Sequence, residues 1–164
     1  MITQKRFISL LVENNAGVLS RIAGLFTRRG YNIDSLTVGE TQNPRVSRMT
    51  IVMTCDTPTF EQIKKQLNKL VEVIKITELR NENALMRELI LVKLKANDDD
   101  RSKIIEISNI FRAKVIDVTS STMTIELTGD EPKISGFLEM MRPFGIIELI
   151  RTGFCGIERG ANKN

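Results

Sequence analysis

Phe7-Ile8-Ser9-Leu10-Leu11-Val12, then Glu13-Asn14-Asn15-Ala16-Gly17-Val18-Leu19, then Gly30-Tyr31-Asn32-Ile33-Asp34-Ser35-Leu36-Thr37, is the stretch whose reading decides the fold. The first six residues are an apolar run of strand length. Val18, Leu19, Ile22, Leu25 and Phe26 recur at helical spacing, with Arg21, Arg28 and Arg29 on the other face. The helix opens at about Gly17 and stops at Gly30, a C-terminal glycine. Residues 33–38 then return as a strand. A strand that runs into two asparagines and a glycine before a helix leaves unpaired N–H groups at the helix N-terminus, a natural seat for a carboxylate. Asn14, Asn32 and that N-terminus gather on one edge of the predicted sheet and suit the ammonium and carboxylate of a free amino acid. No residue of the stretch has the character of a nucleophile or a general base, so it reads as a place to bind. The competing reading is structural: asparagine as a cap, glycine in a tight turn, asparagine at a helix exit.

Outward from this stretch the first half reads strand, helix, strand, strand, helix, strand. Met49 to Met53 is a strand joined to the one before it through the Asn43-Pro44 turn. Thr57-Pro58 opens the second helix, with threonine as cap and proline at the first position. Phe60, Ile63, Leu67 and Leu70 form its buried stripe, and residues 71–79 close the unit as a strand. Residues 80–85, Arg-Asn-Glu-Asn-Ala-Leu, are a polar linker. The order then repeats: a strand at 89–94, a helix marked by Ile104, Ile107 and Phe111, strands at 115–118 and 123–127. A helix after Asp130 and Pro132 carries Ile134, Phe137, Leu138 and Met141, and a strand at 146–150 ends the unit. The expected fold is α+β, two tandem ferredoxin-like βαββαβ domains, 1–79 and 86–164, with a polar tail from Glu158.

Arg29-Gly-Tyr-Asn-Ile-Asp34 aligns with Arg112-Ala-Lys-Val-Ile-Asp117 at a shift of 83 residues, an internal repeat. The copies differ where a ligand would sit. Asn14-Asn15-Ala16-Gly17 becomes Asn97-Asp98-Asp99-Asp100, and Asn32 becomes Val115. The second copy has lost the glycine and places three carboxylates where an anionic group would bind. The expectation is a sensing first domain and an interaction module in the second.

Composition narrows the function classes. A chain of 164 residues with 41% hydrophobic content makes one or two small domains with a real core. No run approaches the about 18 apolar residues of a membrane helix. The segment Met1 to Arg6 leads into a strand without the pattern of a signal peptide. Cys55 and Cys155 form no paired motif and are expected as reduced thiols in a cytosol-like compartment. The chain has no histidine, the commonest general acid/base and metal ligand. Its net charge of +4 is concentrated in the first half, where residues 1–79 hold eleven Lys/Arg against seven Asp/Glu. That excess is a solvated face or a contact with an acidic partner.

Other sites fall away on inspection. Asp98-Asp99-Asp100 at a helix start favours the dipole and needs no metal. Met53-Thr54-Cys55-Asp56 has one cysteine of the two a metal-carrier loop uses, at the wrong place in the fold. The βαββαβ order is shared with RNA-recognition domains, but residues 46–54 carry no aromatic and the first strand only Phe7, so there is no stacking platform. A phosphate-binding glycine loop, a nucleophile triad and a spaced ligand set are all absent from the sequence.

The strings Asn14-Asn-Ala-Gly-Val-Leu-Ser-Arg21, Arg29-Gly-Tyr-Asn-Ile33, Ser35-Leu-Thr37, Ser47-Arg-Met-Thr-Ile51, Gln66-Leu-Asn-Lys-Leu-Val71 and Arg87-Glu-Leu-Ile-Leu-Val-Lys93 resemble the regulatory small subunit of acetohydroxyacid (acetolactate) synthase, a family built on the amino-acid-sensing ACT domain. The resemblance implies a non-catalytic chain that activates a large, thiamine-diphosphate-dependent subunit and confers valine feedback inhibition in branched-chain amino acid biosynthesis. It implies a homodimer with first domains paired edge to edge. Valine would be held by Asn14 and the Gly17–Val18 backbone of one subunit and by Asn32 and Ile33 of the other. Ala16 stands where many ACT domains carry proline. Gly39 matches a pocket position that is commonly alanine. Val12, Leu19 and Leu36 are candidate pocket walls that core packing also explains. Thiamine diphosphate, Mg and FAD belong to the catalytic partner, and the second domain to contact with it. A free-standing ACT-type sensor of another enzyme is the alternative.

Overall fold

A computed structural model describes residues 2–160. Met1 and the last four residues of the polar tail lie outside the described residues. The chain divides into two compact units: residues 2–85 with 154–160, and residues 86–153. The element order is β1 (Gln4–Glu13), α1 (Val18–Arg28), β2 (Ser35–Glu40), β3 (Val46–Cys55), α2 (Thr57–Leu67), β4 (Val73–Leu79), β5 (Ala84–Lys95), α3 (Asp98–Ile110), β6 (Lys114–Val118), β7 (Thr122–Gly129), α4 (Glu131–Met141), β8 (Ile146–Arg151) and β9 (Cys155–Glu158). The βαββαβ order holds in both units.

In the first unit the antiparallel sheet runs β2-β3-β1-β4, which makes β2 and β4 its edges. Alternation along β1 sends Ile8, Leu10 and Val12 to the helix side, where they meet Val18, Ile22, Leu25 and Phe26 of α1 and Phe60, Ile63 and Leu67 of α2. In the second unit β6-β7-β5-β8 is the order, with β9 pairing β5 off that path. Ile90, Val92 and Leu94 of β5 play the part of the β1 residues, against Ile104, Ile134, Phe137 and Met141. Here the edges are bare: every residue of β6 and of β8 is exposed.

Several expectations are corrected. Asp56, not Thr57, caps α2, accepting from the Thr59 N–H at 2.8 Å, and Pro58 stands second in the helix. A carboxylate reaches the first-turn donors as well as a threonine hydroxyl does, and the Thr57 hydroxyl is taken up by Arg6 at 2.8 Å. The strand read from Val71 begins at Val73; Val71 is 88% exposed because Leu70 still turns out of α2. Residues 80–85 are not an open linker. The Arg80 N–H donates to Asn83 Oδ1 at 2.8 Å, closing a turn, and Ala84 and Leu85 already belong to β5.

The largest departure is at the C-terminal end, where residues 154–160 cluster with the first unit rather than with 86–153. Gly153, at φ 86, turns the chain, and Phe154 packs edge-on against Phe7 with ring centroids 5.9 Å apart. The Phe154 N–H donates to Ser35 Oγ at 3.1 Å, Thr37 Oγ1 donates to the Phe154 carbonyl at 3.2 Å, and the Gly156 N–H donates to Thr50 Oγ1 at 3.2 Å. This strap crosses the sheet face opposite the helices. It explains why Ser9 and Thr50, both 2% exposed, are buried without belonging to the helix-side core. Glu158, read as the start of the tail, is the last residue of β9.

Candidate functional site

The β1–α1 junction is built by glycine. Gly17 caps α1 in the left-handed region, at φ 86, and no side chain caps the helix. A Cβ at this position would meet nothing within 4 Å, so the glycine is demanded by its backbone angle and not by crowding. The first turn of α1 therefore presents backbone donors beside an open surface on which Asn14, Asn15, Ala16 and Gly17 are all exposed. Val18, by contrast, is 5% exposed and anchors the turn in the core.

Asn14 is held in place. Its N–H donates to the Arg45 carbonyl at 2.8 Å, and its Nδ2 donates to the Pro44 carbonyl at 2.9 Å and to Glu40 Oε2 at 3.4 Å. Both amide hydrogens are thus engaged by the β2–β3 connection, and the amide oxygen is left as an acceptor, the polarity an ammonium group needs. Glu40 and Pro44, which orient this side chain, were missed in the sequence because nothing local links them to Asn14. Gly39 precedes Glu40 at the same end of β2, exposed and opposite Arg48, with nothing within 4 Å of its missing Cβ.

Asn32 sits elsewhere. Its Nδ2 donates to Asp34 Oδ1 at 2.8 Å, and the other Asp34 oxygen accepts from Thr54 Oγ1 at 2.7 Å. Ile33 packs partly buried against the first core. The register gives the separation: Ser35 lies opposite Val52 and Phe7, whereas Glu40 lies opposite Ser47 and Val12. Asn32 and Asn14 thus flank opposite ends of β2, about 17 Å of strand apart. Within one chain the residues do not gather on one edge as the sequence reading had them. They fall into two groups, with Asn14, Ala16, Gly17, Val18 and Gly39 at one end and Asn32 and Ile33 at the other.

Of the proposed pocket walls, Val12 is fully buried in the core, Leu36 packs against it, and Leu19 is 44% exposed on the first turn of α1. Two cavities of the first unit, of about 410 and 70 Å³, contain none of these residues. The larger lies along residues 4–7 and 78–82, where the Arg80 hydrogen bond holds the Glu78 carboxyl below its usual range. Burial pushes the Cys55 thiol up, with Asp56 and Asp34 adding to the shift against the opposing pull of Arg6. The thiol therefore stays protonated near neutral pH, and is no activated nucleophile.

In the second unit Asn97 caps α3 without a side-chain bond, and Asp98 and Asp100 face Arg101 and Lys103 at 3.6 Å. Among the described residues no group of three or more His, Cys, Asp or Glu comes together as a metal centre, and no helix is long and apolar enough to cross a membrane.

Residues 8–75 match the family described as AHAS small subunit-like ACT domain, and residues 87–160 that described as small subunit of acetolactate synthase. A probable acetolactate synthase small subunit from Archaeoglobus fulgidus is 51% identical over 97% of this chain and 99% of its own. The chain belongs to the acetolactate synthase small-subunit family. The small subunit from Mycolicibacterium smegmatis is 47% identical, covering 96% of this chain and 93% of its own. The crystal structure of the Thermotoga maritima small subunit superposes with a TM-score of 0.87 at 40% identity, over 97% of this chain and 99% of that one. The small-subunit matches span both units, so the family assignment covers the second unit as well as the ACT domain.

Proposed function

We propose that this chain is the regulatory subunit of acetolactate synthase, a non-catalytic partner that activates the large, thiamine-diphosphate-dependent subunit and withdraws that activation when valine binds. One observation carries the sensing part of the reading: the two groups stand at opposite ends of an edge strand. Strand β2 has β3 on one side and no neighbour on the other among the described residues. Antiparallel pairing of β2 with β2 of a second copy about a two-fold axis sets the Asn14 end of one chain beside the Asn32 end of the other. Each dimer then holds two composite sites. The first-turn donors of α1 take the carboxylate, the Asn14 and Asn32 amides take the ammonium, and Val38 and Gly39 of the edge strand face the aliphatic side chain.

Feedback follows from linkage. A ligand held by two chains tightens their association, and it shifts the enzyme only by as much as it prefers the unactivated arrangement. The second unit, whose copy of the site carries Asp98, Asp99 and Asp100 in the first turn of α3, is the part assigned to the large subunit. Thiamine diphosphate, Mg and FAD are assigned to that partner, and the cytosol to the assembly.

Reconstitution tests the reading. Adding the chain to purified large subunit raises the rate of acetolactate formation, and L-valine then lowers it toward the rate of the large subunit alone. A large subunit indifferent to the chain refutes the regulatory assignment; a stimulated enzyme indifferent to L-valine, leucine and isoleucine refutes the sensing one.

A further inference from the structure

The second unit is an insertion within the first. The chain leaves the first unit after Leu85 and returns to it at Phe154. Both crossings run side by side: in the second unit the Leu89 N–H donates to Thr152 Oγ1 at 3.1 Å and the Thr152 N–H to the Leu89 carbonyl at 3.0 Å. In the first unit the Arg159 N–H donates to the Asn83 carbonyl at 2.7 Å. The chain thus crosses between the units twice, and β9 on the returning limb pairs with β5 on the outgoing one.

The returning limb lands on β2. Phe154 accepts from Thr37 and donates to Ser35, two side chains on the open face of the strand whose edge carries the proposed sensing site. The ring of Phe154 is 4% exposed, Gly156 is buried, and the Gly156 N–H reaches Thr50, the residue opposite Thr37. A change in the seating of β2 moves Ser35 and Thr37, and only two residues, Thr152 and Gly153, separate the strap from the end of β8.

We infer that the Phe154–Glu158 strap is a coupling element, through which the state of the β2 edge reaches β8 of the second unit. In its regulatory sense this rests on the sensing role proposed above, but the mechanical coupling stands on the strap alone. Ser35 and Thr37 are then positioning residues, which act through Phe154 and need not touch the amino acid.

Two measurements on the full chain and its reconstituted complex test it. Thr37→Val keeps the side-chain shape and removes the donor to Phe154; Phe154→Ala removes the anchor. Amide exchange is first followed without ligand. In both variants the Phe154, Gly156 and Thr152 amides exchange at least about tenfold faster, with β7 amides unchanged as the control against general loosening. Faster exchange at Phe154 and Gly156 with Thr152 unmoved overturns the coupling, and so do strap amides that do not respond at all. Second, Thr37→Val binds L-valine within about threefold of the unmodified chain, while inhibition of the complex needs about tenfold more L-valine. Inhibition that tracks affinity overturns the regulatory role of the strap. If the unmodified chain shows no response to valine, the sensing reading fails, the strap loses its regulatory meaning, and the exchange experiment alone decides the mechanical coupling.

Discussion

Replacing Gly17 by alanine separates the two reasons a glycine can occupy a binding loop. Nothing lies within 4 Å of the Cβ that alanine would add, so the substitution causes no steric clash. Its cost is the backbone angle: φ 86 places the residue in the left-handed region, which an L-residue enters at about 1–2 kcal/mol. Alanine also restricts the unfolded chain, which returns about 0.4–1 kcal/mol. The expected net loss is about 1 kcal/mol, a fall of about 2–4 °C in the midpoint for a chain of this size. Gly39 supplies the internal control. It is equally free of neighbours but lies outside the left-handed region, so Gly39→Ala escapes the backbone penalty and gains about 0.5 kcal/mol because alanine restricts the unfolded chain. Calorimetric melting of both variants beside the unmodified chain measures the difference. Equal shifts for Gly17→Ala and Gly39→Ala refute the argument that the helix entry is set by backbone conformation.

Asn32→Ala removes a side chain whose structural bond is one exposed contact with Asp34; its melting midpoint stays within about 2 °C of the parent while L-valine binding is lost, and a larger fall would assign Asn32 a structural role. Arg151→Ala leaves the Glu88 carboxylate, 3% exposed and bidentate to Arg151 at 3.0 and 2.7 Å, without its partner. Because the Arg151 side chain is 44% exposed and water can enter, the expected loss is about 2 kcal/mol rather than the 3–5 of a fully buried pair, read from urea unfolding. The double change Glu88→Leu with Arg151→Met recovers most of it. Asp130→Ala costs about 1 kcal/mol through the lost cap on α4, where the carboxylate accepts from the Lys133 N–H at 3.1 Å. Hydrogen bonds from Thr59 hold the Asp56 carboxyl below its usual range. Its contribution is therefore full above the unfolded pKa and fades as pH falls through the folded one, so Asp56→Ala flattens the acid limb of a stability-against-pH curve measured below about pH 4.

Much of the fold was legible because each helix has one face and each central strand alternates. Ile134, Phe137 and Met141 line the buried side of α4 as their spacing dictates, and Val18, Ile22, Leu25 and Phe26 do so for α1. The duplication was legible because the strings around Ile33-Asp34 and Ile116-Asp117 survive in both copies. What failed is long-range or too short to carry a pattern. Strand β9 spans four residues without alternation, and the side chains that bond the Phe154–Glu158 strap, Ser35, Thr37 and Thr50, are over a hundred residues away in sequence. Phe7, weighed as a stacking aromatic, is instead covered by Phe154. The cap at Asp56 was lost to Thr57 because both residue types cap helices and only geometry chooses between them. The candidate site was half legible: Asn14 could be picked out by type, and Gly17 and Asn32 by type and by their loss in the second copy. Their division between two ends of β2 follows from strand register, which the sequence does not print.

That division gives the most direct test of the central claim, that one amino acid is held by two chains. Asn14→Ala and Asn32→Ala variants are titrated calorimetrically with L-valine, each alone and then after mixing and re-equilibration. Composite sites predict no binding by either variant alone and recovery of about a quarter of the parent's capacity in the mixture, because half the dimers are mixed and each mixed dimer regains one intact site of two. A mixture as silent as its components, from chains that demonstrably exchange, places both asparagines in the same chain's site and contradicts the account.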